Sequence, residues 1–521
     1  MLIAGKAWSD FGAHIPLIRS FSLGDNLTRF LRGTVEYPIF PGVPIRYHYL
    51  FYMFVGILER LGLRIDWALN APSALGFFAL TILLYLLAKR LFHSVGVSVL
   101  TVVCFLFNGS LAFVRFFTIH PLSAKSLSDI VQANSFPAFA PWGSGLVSAF
   151  WNLNIYTNQR HLAAAFAIVL LFIYTIVKDR EFSPRQQILR AIPWGIVFGL
   201  FPYFHQPSLL IVAVCMICYF FLYPRSRLFL VVVGLVTALI AIPQLAHIQS
   251  QVKTIEWYPG YIVHNELLAQ QSIPRMLWYV LIFWWQNLGF HSILILIGFF
   301  CIPKNARRAI FPIIPIFIIP NLFKFSVEVS ANHKFFNFVM MVGAMISAYV
   351  IVRLARVKIP LLLSISRIGV LVVLVGLLTL SGVIDFFPVY NDGYMTLRDI
   401  PKNEAAAWIR DNTQPNAVFL NSSYFFHPAS LAGRKIFQGW PYYAWSAGYN
   451  TVQRDQEMKV LYETTDTSVF CRLINLNHIS YITYQEPFEI SEIHFSLSAL
   501  ASHAKRVYTN QTYSIWIPLC Q

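Results

Sequence analysis

The chain has 521 residues, 57% of them apolar and only 12% charged, with a formal charge of +16 at pH 7. A mean hydropathy of +0.59 is far above that of a soluble domain. The basic excess is gathered in short loops between apolar runs, where anionic lipid headgroups suffice to explain it, so nucleic acid is excluded as a partner. No P-loop, dinucleotide fingerprint or HExxH sequence is present, which sets aside an ATPase, a nicotinamide-dependent enzyme and a zincin.

Residues 1–67 form a predicted external segment, polar up to residue 48 and without a signal peptide. Either the helix at 68–92 exports its own N-terminus, with Lys89 and Arg90 as its basic flank, or the chain lacks an original first helix; the second reading is preferred. The run His48–Gly62 is apolar but too short for a full crossing, which suits a helix lying in the interface or re-entering the bilayer.

Residues 68–382 read as a transmembrane bundle, with spans near 68–92, 95–117, 160–177, 190–204, 207–223, 228–246, 277–301, 309–323, 335–353 and 361–382. Between them Lys89/Arg90, Lys178/Arg180/Arg185/Arg190, Arg225/Arg227, Lys304/Arg307/Arg308 and Arg353/Arg356/Lys358/Arg367 fall on one side. The positive-inside rule makes that side cytoplasmic and puts 1–48, 118–159, 247–275 and 383–521 outside. The spans 190–204 and 309–323 are short and interrupted by Pro193, Pro202, Pro312, Pro315 and Pro320, which predicts positions inside the bundle.

Residues 383–521 read as an external α/β domain. Its predicted elements are an amphipathic helix over 401–412, a buried strand at 417–420, a helix near 454–462, and strands near 479–484 and 513–517. The fold class is therefore a polytopic α-helical membrane protein of about 10–11 transmembrane helices with a C-terminal soluble α/β domain. Cys471 and Cys520 both lie in that domain, where an oxidising compartment allows a disulfide. Cys104, Cys215, Cys218 and Cys301 sit in apolar spans and read as small packing residues. The sequons at Asn421 and Asn510 arise easily by chance.

The external N-terminal segment holds the densest polar constellation, with Asp10, His14, Arg46 and His48 among aromatic residues. Asp10 and His14 are four apart and share a helix face. A carboxylate beside an imidazole suits a general base, while an Asp at this place equally suits a helix N-cap, and both readings stand.

The runs Ser9-Asp10-Phe11-Gly12-Ala13-His14 and Ile18-Arg19-Ser20-Phe21, the stretch from Pro41 to His48, and Trp408-Ile409-Arg410-Asp411-Asn412-Thr413 with Ala432-Gly433-Arg434 carry a resemblance. Together with the polar first loop, the many helices and the external α/β domain, they resemble uncharacterised bacterial members of the GT-C superfamily of integral-membrane glycosyltransferases. That resemblance implies that Asp10 is the catalytic base and that the donor is a sugar on a polyprenyl phosphate or pyrophosphate. It also implies an acceptor hydroxyl on a lipid, glycan or protein, and an inverting transfer at the outer face of a bacterial plasma membrane. Relatives carry a second acidic residue beside the first; here Ser9 and Phe11 flank Asp10, so no cofactor is assigned and a divalent metal stays open.

Under that resemblance His14, Arg46, His48, Arg160, His161, His205, His333 and Lys334 become substrate-binding candidates. Arg160/His161 and His333/Lys334 open helices at the outer face, where cations and helix N-termini both stabilise a leaving phosphate. The competing reading has Arg160 and Lys334 snorkelling to headgroups. In the C-terminal domain His427 follows a strand end, and Trp440 with Tyr442, Tyr443 and Trp445 suits either sugar stacking or docking on the membrane interface. A lipid or polysaccharide transporter is the alternative function, and a non-catalytic scaffold ranks behind it. A transporter calls for ionisable residues near the bilayer midplane, whereas the charges here sit at the span ends.

Overall fold

The computed structural model describes residues 1–139, 146–177, 182–249, 255–264, 271–357, 361–486, 490 and 493–520; Lys178, Arg180 and Lys358 of the expected basic loops lie outside them. The chain divides into two compact units, one made of Met1–Pro72, Leu245–Val252 and Gly393–Gln521, the other of Ser73–Gln244 and Lys253–Asp392.

The second unit is a helical membrane bundle, and every expected span is helical in it. Among the described residues Ile65–Phe92, Pro224–Ile248, Val329–Ala355 and Ser366–Tyr390 are long and apolar enough to cross a membrane alone. The pair Ile273–Leu288 and Phe290–Cys301 is apolar enough when taken together but bent by 95°, the geometry of a broken span or of a re-entrant loop. The bend sits at Gly289, whose φ of 53° belongs to the left-handed region that favours glycine. Leu162–Val177 and Gln206–Leu222 are shorter apolar helices of 16 and 17 residues.

The expected continuous span 95–117 is broken. Val95–Leu106 and Ala112–Ile119 are separate helices. The freed backbone groups between them are satisfied by neighbours: Leu111 N–H donates to the Gln286 carbonyl at 2.8 Å, Phe113 N–H to Ser381 Oγ at 3.0 Å, and Ser381 Oγ in turn to the Ser110 carbonyl at 2.6 Å. That is the condition under which irregular backbone survives at membrane depth. Gly109 and Gly382 allow the close approach, because a Cβ at Gly109 would lie 2.3 Å from the Leu378 oxygen and one at Gly382 2.2 Å from the Phe107 backbone. Since the obstacle is backbone, Gly382→Val is expected to lower the melting temperature of the purified protein by several degrees, from an overpacking penalty of about 1–3 kcal/mol.

The two proline-interrupted spans are interior on one face only, where Ala191 and Phe198 of the first and Ile313 and Ile316 of the second are buried. Pro184–Gly199 exposes Leu189, Ile192, Ile196 and Val197, and Ile313–Leu322 exposes Ile314 and Ile318. The first helix finds its polar partners on one neighbour, since Gln244 Nε2 donates to the Gly199 carbonyl at 2.9 Å and Thr237 Oγ1 to that of Gly195 at 3.4 Å. One flanking helix is enough to satisfy it, which is why its other face is left to lipid.

In the first unit a five-stranded sheet runs in the order Ala504–Thr509, Tyr513–Pro518, Tyr481–Gln485, Val418–Leu420, Lys435–Ile436. Val418–Leu420 is parallel to both its neighbours and the other pairings are antiparallel. The helices Glu404–Asn412 and Thr451–Glu463 stand where the sequence places them. A disulfide joins Cys471 to Cys520. Asn421 is buried, with Nδ2 bound to the Ser423 and Gln438 carbonyls at 2.9 and 2.6 Å, so that sequon is a structural amide.

The N-terminal segment is part of this same unit. Leu2–Ala4 pairs antiparallel with Tyr394–Thr396. The hairpin Glu36–Pro44 covers the sheet edge at Lys435–Ile436, where Ile436 N–H donates to the Pro38 carbonyl and Gly439 N–H to that of Ile39, both at 2.9 Å. An open edge strand is an aggregation hazard, and this contact closes it. Leu50–Arg60 packs on Trp8–Ser22 through Gly56, whose Cβ would meet the Ile18 carbonyl at 2.7 Å. Arg19 locks the packing, bridging Glu59 at 3.2 Å and Asp399 at 2.6 Å.

Candidate active site

Asp10 lies in the first turn of Trp8–Ser22, two residues inside it. The N-cap is Ala7, with no side-chain cap, so the capping reading of Asp10 falls away. The helix N-terminus nevertheless favours a carboxylate there. Within electrostatic reach of it are two phenols, Tyr47, half-buried, and Tyr52, fully buried. Burial first, with the Asp10 charge as a further cause, holds both well above the ordinary tyrosine range, so they stay protonated donors. Tyr47 and Tyr52 are hydrogen-bonded to each other. Tyr52 Oη is 2.8 Å from His14 Nε2, with the rings stacked at 4.5 Å, and Tyr47 stacks on His48 at 4.0 Å. Asp10, His14 and His48 are thus brought to one place, joined by two tyrosines that sequence reasoning missed.

The other candidates of this unit separate. Arg46 is turned to the chain itself: its guanidinium donates to the Gly448 carbonyl and lies 4.7 Å from the Tyr449 ring centre, while its N–H donates to Tyr449 Oη at 2.8 Å. That is a tether between segments. His427 is fully buried with both nitrogens committed, Nδ1 accepting from Ala429 N–H at 3.1 Å and Nε2 bound to Thr483 Oγ1 at 2.9 Å. The expectation that it meets substrate is corrected: it caps a short helix and braces a strand. Trp440 is exposed and stacks on Phe425 at 5.4 Å, as Phe425 presses on Gly12, where a Cβ would come within 2.4 Å of the ring. Gly12 therefore fits the Asp10 helix against the ring that carries Trp440.

Burial lowers the His427 pKa to about 3, from the ordinary histidine value of about 6.5. Above pH 6.5 both folded and unfolded states are neutral; below it the unfolded imidazole takes a proton the folded one refuses, so stability falls with pH down to about 3. The folded protein is expected to lose about 2 kcal/mol between pH 7 and pH 5 through this group, read from denaturant midpoints. An unchanged midpoint counts against the assignment.

In the membrane bundle, three separate loops contribute to one basic cluster. His161 and His205 are buried with ring centres 5.3 Å apart, and His205 lies within electrostatic reach of His333 and Lys334. His205, extended between Phe201–Phe204 and Gln206–Leu222, is oriented by Ser208 Oγ at 2.7 Å from its Nδ1. His333 opens the helix His333–Ala355, with Nε2 3.4 Å from Gln159 Nε2 and its ring 5.0 Å from Phe150. Arg160, half-buried, directly precedes His161. Lys334 and the three imidazoles thus lie together at helix starts, where backbone N–H groups and cations favour an anion.

What holds this cluster was not legible in sequence. The stretch Leu146–Asn158, expected as an outside loop, contains buried Val147, Trp151, Asn154 and Ile155. Asn287 Oδ1 accepts from Val147 N–H at 2.8 Å and from Trp151 Nε1 at 2.9 Å; Asn337 Nδ2 donates to the Phe150 carbonyl at 3.0 Å. Asp385, a buried carboxyl in Leu361–Tyr390, accepts from Ser148 Oγ at 3.2 Å and is bound by Asn152. Its position just past the expected end of the last span was the available signal. Asp385→Ala is expected to strand these donors at about 1–3 kcal/mol, seen as a lower melting temperature; an unshifted one removes the clamp. Among the described residues no group of three His, Cys, Asp or Glu is placed to hold a metal ion.

No family model matches the sequence, and no curated protein matches it. Among solved structures the chain is similar to the oligosaccharyltransferase AglB from Archaeoglobus fulgidus in complex with an inhibitory peptide and a dolichol-phosphate, at 12% identity over 97% of this chain and 69% of that one, with a TM-score of 0.48. It is also similar to ArnT from Cupriavidus metallidurans bound to undecaprenyl phosphate, at 10% identity over 97% of this chain and 93% of that one, with a TM-score of 0.47.

Proposed function

We propose that this chain is a GT-C type glycosyltransferase that moves a sugar from a polyprenyl-linked phosphate to an acceptor hydroxyl on the outer face of a bacterial plasma membrane. Asp10 takes the proton of the acceptor hydroxyl. The oxygen attacks the anomeric carbon, the bond from that carbon to the phosphate oxygen breaks, and the sugar inverts. The lipid phosphate leaves with the electron pair; Arg160, Lys334 and the imidazoles of His161, His205 and His333 in the second unit have the chemistry to stabilise such an anion. The observation that carries the reading is Asp10 in the first turn of Trp8–Ser22, within electrostatic reach of Tyr47 and Tyr52, which pack on His48 and His14. The Cys471–Cys520 disulfide supports an oxidising compartment for the α/β domain.

The test uses purified full-length protein with polyprenyl-phosphate-linked sugars and follows release of polyprenyl phosphate. Arg160→Ala and Lys334→Ala are each expected to lower turnover about a hundredfold, the scale of a lost electrostatic contact to a developing anion. A residue that only snorkels changes turnover far less. Normal transfer by both variants, or a wild type that moves the lipid across a bilayer without consuming it, sinks the proposal in favour of a transporter.

A further inference from the structure

The sheet edge at Lys435–Ile436 runs on through Gly439 and Trp440 into the short helix Pro441–Ser446. Its outer face is a shelf of rings. Trp440 stacks on Phe425 at 5.4 Å, and Tyr442 and Trp445, three apart on the helix, have ring centres 5.8 Å apart. Tyr443 links the two pairs, 6.4 Å from Phe425 and 6.1 Å from Tyr442. Trp440, Tyr442 and Trp445 are 42, 39 and 41% exposed. The backbone beneath them is fixed, since Ala444 is fully buried and its carbonyl accepts from Tyr449 N–H at 3.1 Å.

The shelf carries no charge: no Asp, Glu, Lys or Arg occurs from Ile436 to Gln453, and no aliphatic side chain between Ile436 and Tyr449 is exposed. A surface that suits lipid looks different in this same unit. Ahead of the helix Ile65–Phe92 it exposes Phe54, Leu61 and Leu63 together with Arg60 and Arg64, the mixture of hydrocarbon and cations that a bilayer interface favours. Uncharged rings alone fit the C–H face of a sugar, whose hydroxyls keep their water at the rim. The shelf is also tied to the Asp10 helix, because Phe425 lies against Gly12. Gly12 is two residues on from Asp10, about 200° around the helix, so the rings stand beside the carboxylate's helix and not over the carboxylate. A molecule lying on them has to reach Asp10 with a different part of itself.

We infer that the shelf is an acceptor subsite for a neutral saccharide chain, one sugar of which stacks on Trp440, Tyr442 and Trp445 while a hydroxyl of another meets Asp10. The role of the bound chain as acceptor rests on the glycosyltransferase reading; its binding does not. The experiment titrates purified full-length protein, in a detergent without a sugar headgroup, with short neutral oligosaccharides of glucose, mannose, galactose and N-acetylglucosamine, read by saturation-transfer NMR. At least one series is expected to bind about tenfold more tightly than its single sugar, and Trp440→Ala and Trp445→Ala each to weaken that binding about tenfold, while Trp440→Phe retains it. A wild type that binds such a chain but releases no polyprenyl phosphate from any donor sinks the glycosyltransferase reading and leaves the subsite standing. One that transfers sugar but binds none of the chains, or binds them undiminished after both tryptophans are replaced by alanine, overturns the subsite alone. In brominated lipid, fluorescence quenching that diminishes when both tryptophans become phenylalanine assigns the shelf to the membrane and likewise overturns it. The wild-type comparison of chains with single sugars decides where a variant fails to fold.

Discussion

Asp10→Asn is expected to lower sugar transfer by about a thousandfold while the protein remains inserted and folded. The amide keeps the carboxylate's shape and hydrogen-bond reach but has no basicity, so the acceptor hydroxyl must lose its proton without help, an effect typically worth two to four powers of ten. The surroundings make the variant a clean one. Tyr47 and Tyr52, held by His48 and His14, lie within electrostatic reach of Asp10, and an amide of the same size takes the same place without the charge. The melting temperature should therefore change little while turnover collapses. Wild-type turnover in that variant removes Asp10 as the base.

Lys435→Met is expected to destabilise the first unit by about 3–5 kcal/mol, the usual result of removing one partner from a buried ionic group. The Lys435 side chain is 1% exposed and its ammonium lies 2.9 Å from Asp25 and 2.8 Å from Glu36. Arg29 reaches the same two carboxylates, Glu36 at 2.8 Å. Without the ammonium, two carboxylates share one guanidinium in a place that water scarcely enters. Because both acids belong to the N-terminal segment and the lysine to the sheet edge, unfolding should show the two parting together. A denaturant midpoint equal to that of the wild type contradicts this account.

The helices of the bundle were legible because each is written locally, in an apolar window with basic flanks. Their interruptions were not, since the break at Asn108–Leu111 depends on Ser381 and Gln286, which are far away in sequence. The same division runs through the site. Asp10 and His14 declared themselves by spacing, but Tyr47 and Tyr52 looked like any other aromatic residues of that segment. His427 misled for the converse reason: a polar residue in a promising loop does not announce that its hydrogen bonds are already spent on Thr483 and Ala429, and Arg46 likewise gives a donor to Gly448. Lys435 had no pattern at all, because a buried lysine is intelligible only once its acids are in view.

The pairing of Leu2–Ala4 with Tyr394–Thr396, and of the Glu36–Pro44 hairpin with the Lys435–Ile436 edge, has a consequence for biogenesis. The segment bearing Asp10 is made before the bundle, yet the strands that receive it are made after every span has been threaded. Until then Asp25 and Glu36 have no lysine and Phe425 does not yet lie against Gly12. A chain stalled within the bundle thus holds Asp10 in an unfinished setting, and the N-terminal segment matures only once the strands that follow the bundle have been made.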